Sequence, residues 1–166
     1  MPWGWLDRRN SVTATLSDIL DPRCVVLELT ARRKRQVIEE LVSTLDAADK
    51  VGNAKKLAKE ILEREKLTPT AIGHGVAVPH KLSEEVPETA LAIGRVAGGV
   101  KFGAPDNQPV TLVFLLIGPN GAHTAHLRLL SRLSRYLHDP AFRSSLLEAP
   151  SAEALVDVFA EREREQ

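Results

Sequence analysis

Apolar positions along the chain follow two rhythms. Val37, Ile38, Leu41, Val42 and Leu45 recur at helical spacing through Lys34–Ala48, and Leu57, Ile61 and Leu62 do so after Asn53. Steps of three and four residues put such side chains on one face of a helix. Thr30 is expected to cap the first of these helices and Asn53 the second, because a short side-chain oxygen satisfies free N–H groups at a helix start. Thr68-Pro69 ends the second, since proline disfavours helix at the residue before it. A third helix is expected from near Thr124, with Leu130, Leu133 and Leu137 along one face. Asp139-Pro140 restarts a short one through Leu147, and Ser151 caps a last one carrying Leu155, Val158 and Phe159. Leu16–Leu20 predicts a short helical turn.

The second rhythm is that of strands. Cys24–Leu29, Leu91–Val96 and Val110–Ile117 are short, aliphatic and rich in β-branched residues. The last, apolar without alternation, is expected at the centre of a sheet. Thr70–Pro79 predicts extended chain, with Gly73 and Gly75 where the backbone turns or meets something closely. Gly103–Asn107 and Gly118–Gly121 have turn chemistry. Three or four strands flanked by helices predict an α/β fold: a layered single domain with a mixed β-sheet. The expected organisation is an N-terminal lead-in over 1–14 carrying Trp3 and Trp5, a domain over 15–160, and a charged tail over 161–166. That tail reads as a solvated helix end of alternating charge.

Composition narrows the classes. The chain has 166 residues, with 22 Lys+Arg against 22 Asp+Glu. A balanced charge argues against nucleic-acid binding by bulk electrostatics. The single cysteine, Cys24, excludes a disulfide framework or a Cys-rich metal knuckle. Leu112–Ile117 is far short of the roughly 20 apolar residues of a membrane helix, and residues 1–10 lack the apolar stretch of a signal peptide. A cytoplasmic protein is expected, with no nucleic-acid partner and no membrane insertion.

Candidate chemistry rests on five histidines: His74, His80, His123, His126 and His138. His80 follows Pro79, which interrupts a strand ladder and leaves His80 at a reachable strand end. His126 has Leu129, Leu130 and Leu133 at i+3, i+4 and i+7, so it shares the inward face of its helix. It also lies in the first turn, where N–H groups and partial positive charge favour an anion. Together they suggest a pocket for a phosphoryl group. A second reading joins the His123/His126 pair with His74 or His80 into a zinc site. His138 reads as a partner of its helix C-terminus. Gly73-x-Gly75 lacks the third glycine and the following helix of a dinucleotide site, and no Walker A or Gly-x-Ser-x-Gly sequence occurs. Cys24, in an apolar strand, is expected to be inert. Arg64, within Glu63-Arg64-Glu65-Lys66, is either a solvated helix charge or a planar fork reaching the His80 pocket.

Arg64-Glu65-Lys66 followed by Thr70-Ala71-Ile72-Gly73-His74-Gly75-Val76-Ala77-Val78-Pro79-His80 resembles the signature of enzyme IIA of the bacterial phosphotransferase system, fructose/mannitol type. Asp106-Asn107-Gln108-Pro109-Val110 and the His126-Leu127 helix start resemble its nitrogen-regulatory branch. The resemblance runs over roughly Leu16 to Ala160. It implies the IIA mannitol/fructose-type fold and a phosphohistidine relay. His80 matches the phosphoryl acceptor, and His126 and Arg64 match phosphoryl stabilisers. It also implies an HPr-like phosphocarrier (NPr) as donor, itself charged from a phosphoenolpyruvate-dependent enzyme I. Downstream it implies a regulatory target protein or a sugar IIB component, with neither cofactor nor metal. No IIB or IIC portion accompanies these motifs, so a separate carrier or regulator is expected. Thr68, Pro69 and Ala71 depart from the usual Gly-Ser-Thr-Gly run, and His74 stands where asparagine is common. The alternatives are a zinc-dependent hydrolase using His74, His80, His123 and His126, and a phosphorylation-independent binding module.

Overall fold

A computed structural model describes residues 14–165. The elements are α1 (Leu16–Ile19), β1 (Leu20–Val26), α2 (Lys34–Ala47), α3 (Ala54–Leu67), β2 (Ala71–Gly73), β3 (Val76–Ala77), β4 (His80–Leu82), β5 (Ala90–Val100), β6 (Val110–Gly118), α4 (His123–Leu137), α5 (Pro140–Glu148) and α6 (Ala152–Arg164). The sheet is ordered β1-β5-β6-β3-β2, with β4 also paired to β6. It is mixed: β5 runs antiparallel to β6, whereas β3 and β4 run parallel to it.

Six strands replace the three or four expected, because β2, β3 and β4 span only two or three residues each. Such segments are too short to leave an alternation in the sequence. β6 is central, as its apolar run predicts. Its side chains alternate between two cores. Val113, Leu115 and Ile117 meet α2 and α3 through Ile38, Leu41 and Ile61. Leu112, Phe114 and Leu116 meet α4, α5 and α6 through Leu129, Leu133, Phe142 and Phe159. Each such buried aliphatic or aromatic side chain contributes about 1.5–3 kcal/mol.

Asn53 and Ser151 cap their helices as expected, accepting N–H groups of Lys56 and Ala154 at 3.0 Å each, and Asp139, where the short helix restarts, caps α5 by accepting from Ala141 N at 2.9 Å. Thr30 does not. Helix α2 starts at Lys34 behind Arg33, without a side-chain cap, and Thr30 Oγ1 instead donates to Glu40 Oε1 at 3.1 Å. β1 begins at Leu20, ahead of the expected Cys24, and takes in Pro22 because it is an edge strand. The charged end near residue 161 is solvated at Glu161, Arg164 and Glu165, as expected, but Arg162 and Glu163 turn inward. Glu163 is 9% exposed and accepts the N–H groups of Leu16 and Ser17 at 2.8 and 2.9 Å. A carboxylate there neutralises the free donors at the start of α1. Arg162 pairs with Asp139 at 2.7 Å and lies over the rings of Tyr136 and Phe142. Trp3 and Trp5 lie outside the described residues. Among those residues no helix is long and apolar enough to cross a membrane.

One register governs the site. Val76 pairs with Leu112, His80 with Leu116 and Leu82 with Gly118. The stagger is the same throughout, so β3 and β4 are one strand interrupted at Val78-Pro79. On the other side of β6, β5 slips register between Arg95 and Val100. Gly99 occupies that irregularity with φ +72°, and a Cβ added there would stand 2.6 Å from Pro109 Cβ. Neither the left-handed backbone nor the rigid ring can yield cheaply. Gly99→Ala is expected to cost about 1–3 kcal/mol, read as a lower denaturant midpoint with an unchanged slope. An unchanged midpoint would show that this corner is looser than drawn.

Candidate active site

His80 opens β4 directly after the interruption. Pro79 has no N–H to give, but its carbonyl accepts from Leu116 N at 3.0 Å and keeps the chain against β6. The Val78 N–H turns the other way and donates to Thr70 O at 3.0 Å. That leaves the Val78 carbonyl outside the ladder, 2.9 Å from His80 Nδ1. A carbonyl can only accept, so Nδ1 carries the proton and Nε2 holds the lone pair. The ring is half-buried.

His126 approaches from α4. It lies in the first turn, its N–H bonded to Ala122 O at 3.0 Å. The ring is 5% exposed, and its centroid is 5.7 Å from that of His80, at an interplanar angle of 49°. Gly118 ends β6 beneath the ring: a Cβ there would crowd Leu82 Cδ2 at 3.1 Å and Thr89 Oγ1 at 3.3 Å, while meeting His126 Nδ1 at an ordinary 3.6 Å. Nδ1 is buried without a hydrogen-bond partner among the described residues. Burial, then the neighbouring His80 and His123, push the His126 pKa down to about 4. The ring is therefore neutral at neutral pH. Helix α4 has no side-chain cap and no acidic residue in its first turn, so the positive end of its dipole faces this cleft uncompensated.

The other candidates are placed less tightly. Arg64 is exposed near the end of α3, with no side-chain hydrogen bond or ion pair among the described residues. It lies one turn beyond Glu60, whose Oε1 accepts from Ser83 Oγ at 2.6 Å just past β4. That stripe of α3 runs beside β4. His123 is exposed at the mouth, one helical turn before His126. His74 caps the β2–β3 turn with φ 57°, and its backbone N–H, not its ring, is the group engaged, by Asp106 Oδ2 at 2.9 Å. That bond is the first cause holding the Asp106 carboxyl below its ordinary range. His138 is the exposed C-cap of α4, as expected. Cys24 is buried, and burial pushes its thiol pKa up. Among the described residues no three His, Cys, Asp or Glu side chains are grouped to hold a metal. The zinc reading thus has no ligand set there.

One residue escapes the sequence reading. Glu65 is 2% exposed and takes three partners: Thr70 N at 3.2 Å, Thr70 Oγ1, and Lys34 Nζ at 2.5 Å. Read within Glu63–Lys66 it is one more solvated charge. Its signal was the stripe Leu57, Ile61, Glu65, whose four-residue steps carry the carboxylate onto the buried face of α3.

Residues 18–162 match the family described as phosphoenolpyruvate-dependent sugar phosphotransferase system, EIIA 2. The chain is 36% identical over 149 residues to the fructose-specific EIIABC component of Bacillus subtilis, a match over 90% of this chain but only 24% of that protein. It is 34% identical over 146 residues to the nitrogen regulatory protein of Bradyrhizobium diazoefficiens, covering 87% of this chain and 94% of that one. The crystal structure of nitrogen regulatory protein IIA-Ntr from Neisseria meningitidis superposes with a TM-score of 0.81 at 31% identity, over 86% of this chain and 97% of that one. The mixed sheet, the paired histidines of β4 and α4, and a match over most of the chain make this protein a member of the EIIA 2 family of the phosphoenolpyruvate-dependent sugar phosphotransferase system.

Proposed function

We propose that this chain relays a phosphoryl group through His80 Nε2. The observation that carries the reading is the Nδ1 to Val78 carbonyl bond of 2.9 Å, which holds the lone pair on the other ring nitrogen. The donor is the phosphohistidine of an HPr-like carrier. The Nε2 lone pair forms a bond to phosphorus as the donor's N–P bond breaks, and the donor ring leaves with that electron pair. Neither step needs a metal, an oxidant or a proton from His80. Little covalent work falls to the protein, so the rate depends on positioning and on stabilising charge spread over the phosphoryl oxygens.

Three groups meet that charge. His126 is neutral, and a buried lone pair at its partnerless Nδ1 costs less than a buried N–H, so Nε2 carries the proton and donates to a phosphoryl oxygen. The start of α4 offers backbone N–H groups. Arg64 swings in from α3 when the anion arrives, its planar fork suited to phosphoryl oxygens. The group then passes to a IIB component, as in a fructose-type system, or its presence is read by a regulatory target protein, as in the nitrogen branch. Both kinds of relative support the shared first step, and the whole fits a cytoplasmic relay.

His80→Ala is expected to abolish incorporation of label from phosphorylated carrier, measured by intact mass, with the fold retained. His126→Ala should accept label about 10²–10³-fold more slowly, the cost of one oriented donor. Arg64→Lys, which keeps charge but loses the fork, should also be slower. Label persisting in His80→Ala would mean a different acceptor.

The His126 proton gives a separate expectation. The unfolded chain binds it near pH 6.5, the folded one only near 4. Stability from this source is whole above pH 6.5 and falls as pH drops toward 4, by roughly 3 kcal/mol in all. Denaturant unfolding across that window should show the slope, and His126→Gln should flatten it. An equal slope in the variant would mean that the ring is not desolvated.

A further inference from the structure

The buried carboxylate of Glu65 lies at one end of a hydrogen-bond chain that reaches the His80 ring. Glu65 accepts from Thr70 N at 3.2 Å and from Thr70 Oγ1. The Thr70 carbonyl accepts from Val78 N at 3.0 Å. The Val78 carbonyl lies 2.9 Å from His80 Nδ1, which donates to it. Four residues, two of them within the β2–β3 segment's flanks, thus run from the C-terminal turn of α3 to the reactive ring. At its far end the chain is held by Lys34, whose Nζ is 2.5 Å from Glu65 Oε2, 3.4 Å from the Phe102 carbonyl, and 5.1 Å from the centre of the Phe102 ring.

We infer that Glu65 is a positioning residue for His80, acting through Thr70 and Val78. The inference rests on the relay reading above. A carboxylate this deeply buried is costly unless each oxygen is satisfied. Here Oε2 is satisfied by Lys34 and Oε1 by Thr70. Anchoring Thr70 sets where its carbonyl stands. That in turn sets the position of Val78, which faces away from β6 with its N–H on Thr70 and its C=O at His80 Nδ1. The Val78 carbonyl then selects which ring nitrogen of His80 keeps the proton. Without the anchor the ring is free to exchange tautomers, and the share with a lone pair on Nε2 falls. Glu65 also adjoins Arg64, so the same anchor fixes the helix end from which the guanidinium reaches.

The test uses the full chain labelled with ¹⁵N-histidine. Long-range ¹H–¹⁵N spectra report the His80 tautomer with no phosphoryl donor present, and phosphoryl transfer is followed separately by intact mass at varied carrier concentration. In the unmodified protein His80 should be the Nδ1–H tautomer. In Glu65→Gln the Nε2–H form should appear, with kcat lower by about tenfold to 10²-fold, as for a reacting group displaced by an ångström, and KM changed less than about twofold. Thr70→Val keeps the shape and the charge pair, guards against a Glu65 variant that does not fold, and should move both readouts in the same direction by less. A folded Glu65→Gln or Thr70→Val protein with unchanged tautomer and unchanged kcat would overturn the inference. Failure of the unmodified protein to take label would sink the relay reading alone, because the tautomer arm stands without it.

Discussion

The parallel pairing of residues 76–82 with β6 is the constraint on which the rest depends. Its stagger is constant across the Val78-Pro79 break, so the break changes hydrogen bonding without changing position. Pro79 withholds an N–H, and Val78 faces away from β6 with its N–H held by Thr70. The freed carbonyl is what the His80 ring finds. The same register sets Leu82 against Gly118, where a Cβ would crowd the Leu82 side chain, and α4 follows β6 to bring His126 within ring contact of His80. A strand break and a helix start, each minor alone, converge because β6 is buried on both faces and cannot shift.

Electrostatically the cleft is prepared for an anion rather than occupied by charge. His126 is kept neutral chiefly by burial. The first turn of α4 has neither a cap nor an acid to compete for its N–H groups. Arg64 stands in solvent, so its charge is not yet committed to a partner. The shortest ion pair among the described residues, Lys34 with Glu65, lies at the far end of the hydrogen-bond chain, where it holds backbone rather than substrate. A dianionic phosphoryl group would supply the missing negative charge in a low-dielectric setting, where it counts most.

Much of this was legible in the sequence where a signal is local. Asn53, Asp139 and Ser151 act at the helix starts they adjoin, so their short oxygens could be read directly. The run Leu112–Ile117 is long enough to demand a central strand. His126 shares its spacing with Leu129 and Leu133, and that spacing carried it inward. Where partners are distant in sequence, reading failed. Thr30 has a helix ahead of it but is claimed by Glu40, and Glu163 serves a helix nearly the whole chain away. Glu65 sat in a charged run whose composition spoke louder than its phase. The short strands β2 to β4 are defined by pairing to β6, not by any pattern of their own.

The central claim is that Val78 fixes the His80 ring so that Nε2 takes the phosphoryl group. Its most direct test is the phosphorylated protein itself, prepared with ¹⁵N-histidine and observed for nitrogen–phosphorus coupling. The coupling is expected at Nε2 of His80, with the proton still on Nδ1. Coupling at Nδ1 of His80, or on any other histidine, would contradict the account.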